Sequence, residues 1–451
     1  MAQQITYRTV LIGSFALALS ACSSDDGGDP GTTPEPTTFE KCEAIVDDAA
    51  CDKTLRPFVF IHGTFGSATE VSNIAHLFGS NGYCQDRFVA IEYDSLVERN
   101  PADRLAELVD EVLAKTGFDQ VDLAGHSQGT GHACTYLSDP ARKAKVAHYI
   151  NFSGICAGNG VPTLSISSLN DLRGGTIHPS GDNVTKVTHA EEDHVAIAGS
   201  RLSFIEVYKY LMNKEPQYTT IQCGTEMITI DGKVVTFGDN VPRANSKIEV
   251  FEIASLAKPR ERGTPVMTIT ADAQGHINAK LKRNVLYEFK VMGEDGTHLG
   301  YGYPPPFRRS NYLLRLLTPS TNPTVAGQTT DKVVRGPSHA GLVFRYVAGA
   351  LRPDWGNTLR IDGQEVLTAE NAPRNASRVG LFMYDADQNR QTDLGEVFAL
   401  SFVGATDVFM DTATPRWMKV EWTNEEGRSI VMQVPNWPSD ESLASVNLPY
   451  P

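Results

Sequence analysis

Five consecutive residues, Gly125-His126-Ser127-Gln128-Gly129, stand directly after the short strand-like run 121–124 and before a helical stretch. A Gly-x-Ser-x-Gly segment between strand and helix holds its serine on a sharp turn. The glycines belong there because the flanking positions pass too close to neighbouring backbone for side chains. The helix that follows aims its positive end at negative charge developing on a substrate. A serine hydroxyl is a weak nucleophile, so an imidazole must take its proton and a carboxylate must hold that imidazole's tautomer. Where the elbow serine comes first, the acid and then the histidine follow it in the chain. That order selects Ser127, Asp171 and His194, with His189 and His178 as rival bases. Asp171 follows the strand-like run 163–168 at its carboxyl end; Asp182 is the alternative acid, and Asp193 is too close in sequence to its own histidine. A tetrahedral oxyanion also needs two backbone N–H groups. Gln128 supplies one, and Thr64 of His62-Gly63-Thr64-Phe65-Gly66-Ser67 the other, with His62 shaping that loop rather than acting as base.

The elements that must carry these residues alternate short apolar runs with helical periodicity from 58 to 212, the pattern of a parallel α/β sheet. Residues 58–61, 88–92, 121–124, 146–152, 163–168 and 183–187 are its strands. Asn100 and Pro101 open a helix whose Leu105, Leu108, Val109, Val112 and Leu113 share one face, and Gly117 closes it. Ser200 opens the last helix, read through Leu202, Ile205, Tyr208 and Leu211. Beyond 216 the helical period vanishes and strand alternation takes over. Asp231-Gly232 and Asp362-Gly363 both predict hairpin turns, and the Thr/Pro-rich stretch 319–328 predicts a linker.

His-Gly-Thr after a strand, Gly-His-Ser-Gln-Gly, and the placement of Asp171 and His194 together resemble the bacterial and archaeal lipases of the α/β-hydrolase fold. The resemblance covers about residues 55–215. It extends in architecture alone to an archaeal lipase type whose catalytic domain is followed by β domains that help bind long acyl chains. It implies an α/β-hydrolase domain at 55–215, a β-sandwich-like domain at 216–320 and a second β domain at 321–451. Only eight residues, 155–162, separate two strands where many relatives insert a helical lid, so the chain departs from lidded lipases.

The first 21 residues read as a secretion signal: Arg8, an apolar segment 10–19, then Leu19-Ser20-Ala21 before Cys22. Cysteine at that position resembles the lipidated residue of bacterial lipoproteins. Residues 22–54 then hold the anchor and a Gly/Pro/Thr/Asp-rich tether. The expectation is an exported lipoprotein at the outer membrane, cell surface or periplasm, held to the membrane through Cys22. Six further cysteines, Cys42, Cys51, Cys84, Cys134, Cys156 and Cys223, suit disulfides in an exported protein. Cys42 with Cys51 is the favoured local pair, and Cys134 is left open as a buried thiol. With 40 Lys+Arg against 54 Asp+Glu, the net charge of −14 repels phosphate backbones and makes nucleic acid an unsuitable partner.

Asp385, Asp387, Asn389, Asp393 and Glu396 stand at EF-hand-like positions, but Arg390 occupies the place of the invariant glycine. An acidic solvated turn is the favoured reading over a calcium loop. The four tryptophans, all in the C-terminal third, are assigned to β-core packing, and 301–307 is an aromatic, proline-stiffened loop at an acyl site or a plain connection. Together these features predict a cofactor-free serine carboxylic-ester hydrolase, acting on ester or lipid through an acyl-enzyme. Polyester (polyhydroxyalkanoate) depolymerase and a non-catalytic hydrolase-fold binding protein are the alternatives. The β region carries no catalytic motif, so a chain ending near Lys214 is expected to fold and to keep short-ester activity.

Overall fold

The computed structural model describes residues 42–449 apart from Arg99, Thr321, Pro323, Thr324, Val347, Ala348, Asn375 and Ser401. The expected secretion signal at 1–21 and the expected anchor at Cys22 fall outside the described residues. No helix among the described residues is long and apolar enough to cross a membrane.

Six strands, β1 (Phe58–Ile61), β2 (Phe88–Ile91), β3 (Val121–His126), β4 (Val146–Phe152), β5 (Thr163–Ser168) and β6 (Val184–His189), form a wholly parallel sheet in the order β2-β1-β3-β4-β5-β6. The strands between its edges are buried along nearly their whole length because helices cover both faces. On one face α1 (Ser72–Ser80) and the later α5 (Arg201–Met212) bury Ile74, Leu77, Phe78, Phe204 and Val207. On the other, α2 (Ala102–Thr116) and α3 (Gln128–Leu137) bury Leu105, Val109, Ala133 and Tyr136. The short α4 (Pro140–Lys143) links α3 to β4. Asn100 Oδ1 accepts the Ala102 N–H at 3.2 Å, and Gly117 ends α2 at φ 75°, a conformation glycine adopts without cost. In α5 the buried stripe is Phe204, Val207 and Tyr208, while Leu202 is 52% exposed. The apolar spacing from Leu202 therefore misplaced the face by part of a turn.

The β region contains β7 (Met227–Thr236), β8 (Lys247–Glu252), β9 (Met267–Thr270), β10 (His276–Lys282), β11 (Tyr287–Met292), β12 (His298–Tyr303) and β13 (Asn311–Thr318). After helix α6 (Val325–Asp331) come β14 (Gly341–Tyr346), β15 (Thr358–Ile361), β16 (Gln364–Glu365), β17 (Gly380–Tyr384), β18 (Glu396–Leu400), β19 (Val403–Asp407), β20 (Trp417–Thr423), β21 (Ser429–Pro435) and β22 (Leu443–Leu448). A nine-stranded sheet, β18-β19-β17-β14-β22-β12-β11-β8-β9, runs through both halves of this region. Against one part of it packs the three-stranded sheet β10-β7-β13, burying Ile230, Val234, Val250, Phe289 and Leu316. Against another packs β16-β15-β20-β21, burying Phe344, Leu359, Met383, Trp422 and Val446.

Several sequence expectations change here. Asp231-Gly232 is no turn: β7 runs straight through it. A Cβ on Gly232 would lie 2.3 Å from the Leu314 carbonyl oxygen, so the glycine serves a close strand approach beside an irregularity in β13. Asp362-Gly363, at φ 51° and 84°, does turn the chain between β15 and β16. Helix α6 occupies part of the expected linker 319–328. The disulfides are Cys42–Cys223, Cys51–Cys84 and Cys134–Cys156, not Cys42–Cys51. The extended N-terminal segment is zipped to distant chain, through Ile45 beside Cys223 and Asp52 beside Tyr83, and each cysteine meets the partner that this pairing brings.

Candidate active site

Strand β3 delivers Ser127 at φ 51°, ψ −120°, and α3 begins at the next residue. A non-glycine residue in that conformation is strained, and its neighbours must hold it. They do so by proximity. A Cβ on Gly129 would sit 2.3 Å from the Ile61 carbonyl oxygen and 2.6 Å from that of His62, and one on Gly125 would sit 3.0 Å from the Gly129 carbonyl oxygen. The Ser127 N–H donates to Phe152 O of β4, and Thr130 Oγ1 donates to Ser127 O at 2.7 Å.

His194, in the loop after β6, lies with Nε2 2.8 Å from Ser127 Oγ and Nδ1 2.8 Å from Asp171 Oδ2. Asp171 follows β5 and is buried. Its Oδ1 accepts the N–H groups of Arg173 at 3.0 Å and Gly174 at 2.6 Å. Burial pushes its pKa up, but the bond and charge of His194 and the Gly174 N–H outweigh it and hold the carboxyl at about 2. The rival histidines are elsewhere engaged: His178 bonds Ser165 and Ser167, and His189 Nδ1 lies 2.7 Å from Glu192. Asp193 accepts the Val195 and Ala196 N–H groups and meets Arg352 at 3.2 Å.

Gln128 is the first residue of α3, where N–H groups lack intrahelical acceptors. Thr64 follows β1 by three residues, and its Oγ1 donates to Gln128 Oε1 at 2.7 Å, tying the two segments together. Gln128 Nε2 donates in turn to Ser95 O, and Phe65 N–H to Ser95 Oγ. His62 is fully buried and stacked on Tyr93, with Nδ1 2.8 Å from Gly63 O.

Two layers behind this constellation escaped the sequence analysis. Glu70, buried, faces His126 Nδ1 at 3.0 Å, and His126 Nε2–H donates to the His194 carbonyl at 2.7 Å. Burial opposes charge on both, but each outweighs it for the other: Glu70 stands below its ordinary value and His126 above. An ion pair thus grips the backbone of His194. No motif contains Glu70, although His126 lies inside the elbow itself. The second layer comes from the β region. Asn240 Nδ2 donates to Gly66 O and Tyr93 O, Arg315 Nε meets Glu92 Oε1 at 2.5 Å, and Phe402 stacks on His194 with centroids 6.4 Å apart. Arg309, buried, reaches Asp48, Gln85 and Ser80. A chain cut near Lys214 would strip these groups from the loops around Ser127, so the expected independence of the core does not fit these contacts.

In place of a helical lid, the loop 155–162 is short and cross-linked. Cys156 is bonded to Cys134 of α3, and Asn151 and Asn183 hold its carbonyls. A cavity of about 640 Å³ opens between α1, α5 and the β region, lined among others by Leu77, Ile221, Phe307, Leu314, Trp422 and Leu448. A smaller space beside Phe65, Val195 and Phe237 shares Thr69, Asn447 and Leu448 with it. Of the expected loop 301–307, Tyr301 to Tyr303 instead end β12, and Pro304 to Phe307 line the larger cavity. Trp417 and Trp422 lie in the β core, and Trp437 stacks on Tyr301 at 4.3 Å.

The EF-hand-like spacing does not produce an EF-hand. Glu396 begins β18 and pairs with Arg378 at 2.7 Å, Asp393 accepts the Gly395 N–H, and Asn389 bonds Asp387 and the Gln391 N–H. The flanks are strands, so the bidentate twelfth position has no helix to hold it over the loop.

A family model described as Lipase (class 2) matches residues 55–136, one described as Lipase C-terminal domain matches 226–321, and a further C-terminal-domain model matches 329–449. Among solved structures, Aspergillus fumigatus lipase B is similar at 13% identity and TM-score 0.29, over 38% of this chain and 56% of that one. The present chain thus matches little more than half of that lipase's length. Carboxylesterase CesB from Bacillus subtilis is similar at 12% identity and TM-score 0.27, over 37% and 86% of the two chains. Bacillus licheniformis lipase BlEst2 in mature form is similar at 15% and 0.30, over 41% and 99%. With lipase models on both sides of residue 216 and a parallel sheet that presents its serine on a strained elbow, the chain is a lipase-like α/β-hydrolase with C-terminal β-rich domains.

Proposed function

We propose that this hydrolase cleaves carboxylic esters of lipids through an acyl-enzyme on Ser127. Ser127 Oγ attacks the ester carbonyl carbon while His194 Nε2 takes its proton, and the N–H groups of Thr64 and Gln128 receive the oxyanion. His194 returns that proton to the departing alkoxide as the ester C–O bond breaks. Water, deprotonated by His194, then attacks the acyl carbonyl and frees Ser127. Asp171 keeps Nδ1 protonated and offsets the charge that His194 acquires. The single observation that carries this reading is the pair of 2.8 Å contacts joining Ser127, His194 and Asp171 on a strained elbow. No cofactor takes part in these steps.

The acyl chain runs past Phe65 and Val195 toward the 640 Å³ cavity, which favours long chains. Three disulfides fit an oxidising compartment and an exported protein anchored at Cys22. The test is kcat/KM on esters of graded acyl length, beside a polyester film, for the wild type and Ser127→Ala. Rising efficiency with acyl length, abolished by Ser127→Ala, supports the proposal. Preference for the film would make it a polymer depolymerase. No Ser127-dependent hydrolysis would make it a binding protein.

A further inference from the structure

Far from Ser127 in sequence, three carboxylates converge with nothing in the ester chemistry to explain them. Asp385 follows β17, Asp387 stands two residues on, and Asp407 ends β19, the strand paired in parallel with β17. One ligand oxygen from each lies within 4.8 Å of the others. Two oxygens bound to one calcium ion at 2.3–2.6 Å are separated by no more than about 5 Å.

Asp385 is 0% exposed, and its Oδ1 accepts no hydrogen bond. Its Oδ2 takes the Arg390 N–H at 3.1 Å. Asp407, also buried, uses Oδ1 for the Ala386 N–H at 2.8 Å. No Lys or Arg forms an ion pair with any of the three among the described residues. The cations at hand are turned elsewhere, Arg390 to Asp411 and Arg378 to Glu396. A buried carboxylate oxygen without a donor or counter-charge is a costly arrangement that native proteins correct.

We propose that Asp385, Asp387 and Asp407 bind one calcium ion, closing the end of the β17–β19 pair. The all-oxygen set, without His or Cys, excludes soft-metal preference. The connecting loop, with Gln388, Arg390 and Leu394 at φ 60–64°, is irregular, which suits flexible calcium coordination better than the strict octahedron of magnesium. The third ligand comes from a strand 22 residues after the first, which no loop motif encodes. At its other end β19 begins directly after Phe402, the ring stacked on His194, so the ion would brace the strand that covers the active site.

The test uses the full exported chain, stripped with chelator and titrated with CaCl2 by calorimetry and by thermal melting. The expected result is one calcium per chain with a dissociation constant below about 1 mM, the extracellular range, and a melting temperature that rises with calcium. Asp387→Asn, at an exposed position, and Asp407→Asn should each weaken calcium binding at least ten-fold, whereas Glu396→Gln should leave it unchanged. If Asp407→Asn does not fold, the wild-type titration and Asp387→Asn decide alone. No binding at 1 mM, binding unaffected by Asp387→Asn, or equal affinity for magnesium would overturn the proposal.

Discussion

Asp171→Asn isolates what the carboxylate does for His194. The environment holds Asp171 at about 2 against an ordinary 3.8, despite burial, which corresponds to roughly 2 kcal/mol in favour of the anion. Much of that preference comes from the bond and charge of His194. Asparagine removes the charge that offsets the imidazolium formed on His194 in the transition state. The amide can also present N–H to Nδ1, which selects the wrong tautomer, and that adds further to a total of about 10⁴. The assay is kcat/KM on a butyryl ester, with circular dichroism as the check on folding. The sign of the pH effect follows from a depressed value. The charge of Asp171 stabilises the fold fully above pH 3.8, and its contribution is lost as pH falls toward 2. The wild type should therefore lose an acid-side increment of stability that Asp171→Asn never had. A folded Asp171→Asn variant within ten-fold of wild type would refute the reasoning, as would a larger effect from Asp182→Asn.

Three further outcomes follow. His194→Ala should cost at least about 10⁴ in kcat/KM with the melting temperature near wild type, and an active variant would move the base elsewhere. Glu70→Ala leaves His126 buried without its anion and should cost about 3–5 kcal/mol in chemical denaturation. The wild-type stability due to this pair is lost as pH falls through the lowered Glu70 value and, for His126, as pH rises above 6.5 through its raised value, so a Glu70→Gln profile should lack both shoulders. Replacing Cys134 and Cys156 by serine opens a link of 22 residues and should cost about 3 kcal/mol by chain entropy, read from urea midpoints; an unchanged midpoint would mean that the loop 155–162 is held by Asn151 and Asn183 alone.

The sheet and the residues that meet at Ser127 were legible because each rests on a local rule. A nucleophilic serine on a strand–turn–helix needs Gly125 and Gly129, and chain order then leaves few acids and bases between β5 and α5. What stayed hidden depends on contacts between distant segments. Glu70 lies outside every motif and meets His126 only through the fold. Arg315, Asn240 and Phe402 reach the site from strands and turns more than a hundred residues away. The two Asp-Gly pairs show the same limit: Asp362-Gly363 turns, while Gly232 is needed because Leu314 crosses it. Cysteine pairing failed for a related reason, since proximity in sequence favoured Cys42 with Cys51 and strand-like bridges favoured their distant partners.

The central claim is most directly tested by treating the folded, full-length chain with a fluorophosphonate and locating the adduct by peptide mass spectrometry. The account predicts one adduct per chain, on Ser127, appearing in step with loss of ester hydrolysis and absent from His194→Ala. An adduct on another residue, or hydrolysis that persists in fully labelled protein, would contradict it.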